Sequence, residues 1–138
     1  MMTLYSFGPS PFGRKIKVLL AELGMKDQVQ VEPANTLEDP DYLLSSNPLG
    51  KIPVLKTPDE GDIFNSSLIA RYVLEKAGSG AAVRANWDDL KLEAMVDGAL
   101  DAAILIVYKG RFEIPGENVF YDRQRDKINR TLDRLETM

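Results

Sequence analysis

Polar and apolar positions alternate over residues 3–7, Thr-Leu-Tyr-Ser-Phe, and Gly8-Pro9 follows, so the chain opens with a short strand. The period then lengthens. Ile16, Leu19, Leu20 and Leu23 fall on one helical face, Ser10 supplies an N-cap, and Pro11 takes the first helical position, where its missing N–H is harmless. Gly24 ends that helix. Alternation returns over 28–32 as a second strand, and residues 40–45 read as a short helix before the turn Asn47-Pro48-Leu49-Gly50. Residues 52–56 and 62–64 are a third and a fourth strand, joined as a hairpin through Asp59-Glu60-Gly61. A helix capped by Asn65 or Ser66 follows, with Leu68, Ile69, Tyr72 and Val73 on its buried face, and Ala77-Gly78-Ser79-Gly80 ends it. The order is βαβαββα. A helical crossover demands parallel strands and a hairpin antiparallel ones, so a small mixed sheet covered by helices is predicted.

Small residues dominate 78–83, as in a linker between packed units, and everything beyond reads as helix. Asn86 with Asp89 three residues later marks a helix start, and Leu92, Val96, Ala99, Leu100, Ala103 and Val107 keep helical spacing. Residues 113–117, with Pro115-Gly116, break this helix, and Ile128, Leu132 and Leu135 mark another. The expected organisation is an α/β domain over 1–76, a linker over 77–85 and a partial all-α domain over 86–138. The last helix stops in mid-pattern without a capping glycine, which predicts a helical part cut short. Its apolar face and that of the helix before it have too few partners within the chain, so a twofold homodimer is expected.

Composition narrows the chemistry. With 44% apolar residues among 138, the chain can bury a core. Its 17 basic and 21 acidic residues leave a net charge of -4, which gives no basic field for nucleic acid. There is no cysteine and no histidine. That excludes disulfide exchange, a cysteine nucleophile, a Ser-His-Asp triad and most zinc sites, so no metal is expected and the chemistry falls to hydroxyls, carboxylates, amines and backbone groups. The N-terminus lacks the form of a secretory signal, and the longest apolar stretch, residues 102–108, is far short of the roughly 20 residues needed to span a bilayer. A cytoplasmic protein without membrane contact is expected. Asn65-Ser66-Ser67 and Asn129-Arg130-Thr131 fit the glycosylation pattern, but without a signal they read as coincidences.

Three segments carry a further reading: Ser10-Pro11-Phe12-Gly13-Arg14-Lys15, Asn47-Pro48-Leu49-Gly50-Lys51-Ile52-Pro53-Val54-Leu55, and Phe64-Asn65-Ser66-Ser67-Leu68-Ile69. In this order and spacing they resemble the glutathione S-transferase family, its serine-type members and the tau class most closely. The resemblance implies a thioredoxin-like glutathione-binding domain over 1–76, followed by the first helices of the family's helical domain. Glutathione would be the co-substrate, with the Ser10 hydroxyl, followed in the motif by Phe12, donating a hydrogen bond to its sulfur. A hydroxyl together with the positive end of a helix favours thiolate over thiol, so the role is physically sound. On the residues alone Ser10 is equally a plain helix cap.

The middle segment is the most specific of the three. By resemblance, Ile52-Pro53 is cis and Val54 offers its backbone N–H and C=O, as an exposed strand edge, to the cysteinyl part of the tripeptide. Lys51 would lie near the glycyl carboxylate. Without the resemblance the same residues make an ordinary strand with a trans proline at its edge. In the third segment, Ser66 and the helix N-terminus would bind the γ-glutamyl carboxylate. Asn65 stands where the family carries an acidic residue or glutamine, and it removes a charge that would pair with the γ-glutamyl ammonium. Residues 97–102 resemble the family's fourth helix only loosely; Asp97 could by that resemblance reach a partner's glutathione, but an acidic residue on a solvated helix face is the safer reading. Two functions are therefore expected: a transferase whose bound thiolate attacks a hydrophobic electrophile, or a transferase-like binding or assembly module without catalysis, which Asn65 and the short chain favour.

Overall fold

β1 (Met2–Ser6) pairs in parallel with β2 (Val29–Pro33) and antiparallel with β3 (Val54–Lys56), which pairs antiparallel with β4 (Asp62–Phe64); the strand order is β2-β1-β3-β4. The computed structural model describes residues 1–79, 86–112, 115 and 119–138, and the chain divides into two units, Met1–Arg84 and Ala85–Met138. In the first unit the sheet is accompanied by α1 (Pro11–Glu22), α2 (Asp41–Ser46) and α3 (Ser66–Lys76). This is the predicted thioredoxin-like mixed sheet. Leu4 and Leu55 from the sheet, Ile16 and Leu20 from α1, and Ile69 and Val73 from α3 form its core, each at 2% exposure or less. Burial of each such side chain stabilises by about 1.5–3 kcal/mol.

Local chemistry sets the element ends. Ser10 Oγ accepts a hydrogen bond from Gly13 N–H at 3.1 Å, and Pro11 opens the helix. At the other end Gly24 adopts φ +66, where a side chain would be strained, while Met25 N–H bonds back to the Leu20 carbonyl at 2.8 Å and closes the turn. β3 is shorter than the pattern over 52–56 predicts. Pro53 has no N–H to give to a ladder, so pairing starts at Val54. The Ile52-Pro53 bond is cis. On α3 the predicted Ile69, Tyr72 and Val73 are buried, while Leu68 is 54% exposed and Ala70 is buried in its stead.

The second unit consists of α4 (Trp87–Arg111) and α5 (Val119–Glu136). Asn86 and Asp89 form the predicted capping box, each side chain accepting from the other's backbone. The packed faces differ from the sequence pattern. Ala102 and Lys109 of α4 and Gln124 of α5 are buried, whereas Val107 and Leu132 are about half exposed. Apolar residues surround much of α4, so its periodicity marks no single face, and the Lys109 ammonium settles 4.3 Å above the Tyr121 ring. Among the described residues no helix is long and apolar enough to cross a membrane. Most of the predicted linker over 77–85, and all of the predicted helix break over 113–117 except Pro115, lie outside the described residues.

A polar clasp ties the β3–β4 turn to the last turn of α3. Asp59 accepts from the Tyr72 hydroxyl at 2.6 Å and pairs with Lys76. The Lys76 bond, then the Tyr72 bond, lower the Asp59 carboxyl to about 2. A carboxylate depressed in the folded state contributes stability above its ordinary pKa and loses it as the pH falls toward the folded value. Denaturation followed from pH 5 down to pH 2 is therefore expected to show a loss of stability that Asp59→Asn lacks. Parallel pH profiles for the two proteins would remove the clasp from the account.

Candidate functional site

Three short segments meet at one end of the sheet because of the strand register. Tyr5 lies opposite Val54, and Val54 lies opposite Phe64 on its other side. The C-terminal ends of β1 and β4 and the N-terminal end of β3 are therefore neighbours. α1 follows β1 through the Phe7–Ser10 turn, closed by Ser10 N–H on the Phe7 carbonyl at 3.0 Å, and α3 follows β4 at once. Two helix N-termini and the start of β3 thus share this end. The helix dipoles make it electropositive, and the Lys15 ammonium, bonded to Ser67 Oγ at 3.3 Å, adds a formal charge.

The sequence-predicted residues lie on or beside these three segments. Ser10 caps α1 and is partly exposed, and with its Oγ accepting from Gly13 N–H its own proton remains available for donation. Phe12 is partly exposed in the first turn of α1, and Lys51 is exposed. Ser66 is buried at 5% exposure as the first residue of α3. Asn65, rather than Ser66, is the cap: its side chain accepts from Ser67 N–H at 3.0 Å and Leu68 N–H at 3.4 Å. It does so at φ 75 and ψ 123, a backbone conformation that costs a residue with a side chain on the order of 1–3 kcal/mol.

Val54 requires a correction. It is fully buried and has a strand neighbour on each side, because β3 is an inner strand between β1 and β4. The main chain outside the ladder is that of Ile52, partly exposed and just ahead of the cis bond, with Pro53 buried behind it. Sequence reasoning also missed what holds this segment. Asn47, 2% exposed, donates from Nδ2 to the Lys51 carbonyl at 2.8 Å, and its Oδ1 accepts from Leu49 N–H at 3.1 Å. Gly50 completes the turn at φ +60. An asparagine opening Asn-Pro-Leu-Gly is a signal for such a side-chain turn. Lys15 was likewise missed: its Nζ donates to Ser67 Oγ at 3.3 Å and links α1 to the first turn of α3. No periodicity announces that contact.

Residues 9–76 match the family described as glutathione S-transferase, N-terminal domain. The "Uncharacterized GST-like protein YibF" of Escherichia coli strain K12 is 36% identical over 142 residues, a match spanning 98% of this chain and 68% of that protein. The chain belongs to the glutathione S-transferase family. A solved structure of a glutathione transferase family member from Pseudomonas fluorescens Pf-5, with bound glutathione, is 32% identical and superposes with a TM-score of 0.87 over 99% of this chain and 71% of that one. A shorter similarity, 41% identity over 61 residues, links 44% of this chain with 14% of the "Probable elongation factor 1-gamma 2" of Arabidopsis thaliana.

Asn65 generates a test of this local geometry. Asn65→Ala keeps the strained backbone and loses the cap, so it is expected to destabilise by about 1 kcal/mol, whereas Asn65→Gly relieves the strain and costs only a few tenths. Chemical denaturation of the three proteins checks it, and alanine more stable than glycine here would contradict the assignment.

Proposed function

We propose that the chain is a glutathione transferase that binds glutathione at this end of the sheet and activates its thiolate for attack on an electrophilic, apolar small molecule. The observation that carries the reading is Ser10, a partly exposed hydroxyl at the N-terminus of a 12-residue helix, with its oxygen already accepting a bond and its proton free to donate. The glutathione bound by the Pseudomonas relative supports the choice of ligand. Ser66 and the α3 N-terminus receive the γ-glutamyl carboxylate. Ile52, turned by Pro53 and followed by Val54, offers main chain to the cysteinyl unit, Lys51 faces the glycyl carboxylate, and Phe12 flanks the sulfur. Asn65 caps α3 and supplies no charge to the γ-glutamyl ammonium.

In the reaction the thiol proton leaves to solvent, and no protein base is needed, because the Ser10 hydroxyl and the α1 dipole hold the thiolate at neutral pH. The sulfur lone pair then forms a bond to the electrophilic carbon as the leaving group departs with its electrons, or as the electrons move into a conjugated acceptor. Ser10 donates throughout and is not consumed. The protein works as a cytoplasmic homodimer, an assignment supported by exposed apolar residues on the helical unit, among them Trp87 at 80%, Phe112 at 56% and Leu132 at 53%. The similarity to an elongation factor 1-gamma protein favours a second reading, a glutathione-transferase-like assembly module without turnover.

Ser10→Ala separates the two. Binding is spread over Lys51, Ile52 and Ser66, so glutathione affinity is expected to change little. Loss of a hydrogen bond to a charged group, about 1.5–3 kcal/mol, is expected to lower conjugation of a chromogenic aryl halide by roughly ten- to a hundredfold and to raise the bound-thiol pKa. Glutathione binding by the parent without any turnover would favour the module, and an unchanged rate in the variant would return Ser10 to a helix cap. Sedimentation at micromolar concentration is expected to give a dimer, and monomer alone would contradict the assembly.

A further inference from the structure

Gly13, the third residue of α1, is buried, although glycine is a poor helix former at any interior position. Its surroundings supply the reason. A methyl group on its Cα would stand 2.1 Å from Ser6 Oγ, 3.3 Å from Ser6 Cβ and 3.4 Å from Ser10 Oγ. The last residue of β1 therefore rests on the bare backbone of the helix that carries Ser10. Ser6 is 2% exposed, and its hydroxyl oxygen has no hydrogen-bond partner among the described residues. The role of Ser6 in the chain is thus one of size and place.

We propose that the contact between Ser6 and Gly13 is a positioning device: it sets how deeply the first turn of α1 seats against β1, and so where the Ser10 hydroxyl stands relative to the sulfur of bound glutathione. The inference rests on the reading of Ser10 given above. Gly13 is tied to Ser10 twice, through its N–H on Ser10 Oγ and through the shared turn, so a displacement of Gly13 moves the hydroxyl with it. Rotation of Ser6 Oγ relieves the closest approach of an added methyl but leaves the 3.3 Å contact with Ser6 Cβ, and the helix must yield by a few tenths of an ångström. Ser6 and Gly13 are positioning residues, and neither touches the thiolate.

The pKa of bound glutathione, read from ultraviolet thiolate absorbance, tests this in the 138-residue chain, with circular dichroism reporting the fold. Gly13→Ala is expected to raise that pKa toward the value of Ser10→Ala and to lower aryl-halide conjugation on the order of tenfold, with glutathione affinity little changed. Adding Ser6→Gly to Gly13→Ala is expected to restore the parent pKa, and adding Ser6→Ala to restore it only in part. A purely structural role for the contact would move stability and leave the pKa alone. If Gly13→Ala does not fold, Ser6→Thr presses the same contact from the strand side and is expected to raise the pKa. A folded Gly13→Ala or Ser6→Thr with the parent pKa, or a double variant that stays impaired, overturns the device. If Ser10→Ala itself keeps the parent pKa, the reading of Ser10 falls first and the device falls with it.

Discussion

The antiparallel seating of β3 between β1 and β4 is the constraint on which the site depends. With Val54 opposite both Tyr5 and Phe64, three chain segments that are distant in sequence must leave or enter the sheet at the same end. A slip of one residue would turn every β3 side chain to the other face and expose Leu55, which is fully buried, so the hydrophobic core fixes the register and the register fixes the site. Core packing and ligand geometry are here two consequences of one pairing.

Helix dipoles and two ammonium groups, those of Lys15 and Lys51, gather at that end. The N-termini of α1 and α3 point their unpaired N–H groups to the same region, and the chain achieves this without a histidine, a cysteine or a metal-binding cluster among the described residues. Side chains then hold the backbone in place. Asn47 fixes the Lys51 carbonyl ahead of Ile52, Asn65 ties down the first turn of α3, and Lys15 joins that turn to α1. The Asp59 clasp with Tyr72 and Lys76 lies at the other end of α3, where it secures the hairpin loop without entering the site.

Much of this was legible in the sequence, and the exceptions have physical reasons. The start of α1 could be read from Ser10-Pro11 and its end from Gly24 because caps and breakers act locally, and the capping box of Asn86 and Asp89 could be read for the same reason. Family motifs pointed to the cis bond at Ile52-Pro53, which proline alone does not determine. The edge placed at Val54 was wrong because strand order is a tertiary property, and an inner strand and an edge strand of three residues look alike in sequence. Leu68 was assigned to a buried face by spacing, but which part of an apolar helix packs is decided by its neighbours. Asn65 with its positive φ, and the pressure of Ser6 on Gly13, arise only once the strand and the helix are assembled.

The central claim is that the end of the sheet where β3 and the two helix N-termini meet is the ligand site. Titration of the isotopically labelled chain with glutathione, followed by backbone amide resonances, tests it most directly. The account predicts shifts concentrated at Phe12 and Gly13, at Lys51 and Ile52, and at Ser66 and Ser67, with Asp59, Tyr72 and Lys76 at the far end of α3 unmoved. Shifts confined to that far end or to α4 and α5, or no shifts at saturating glutathione, would contradict it.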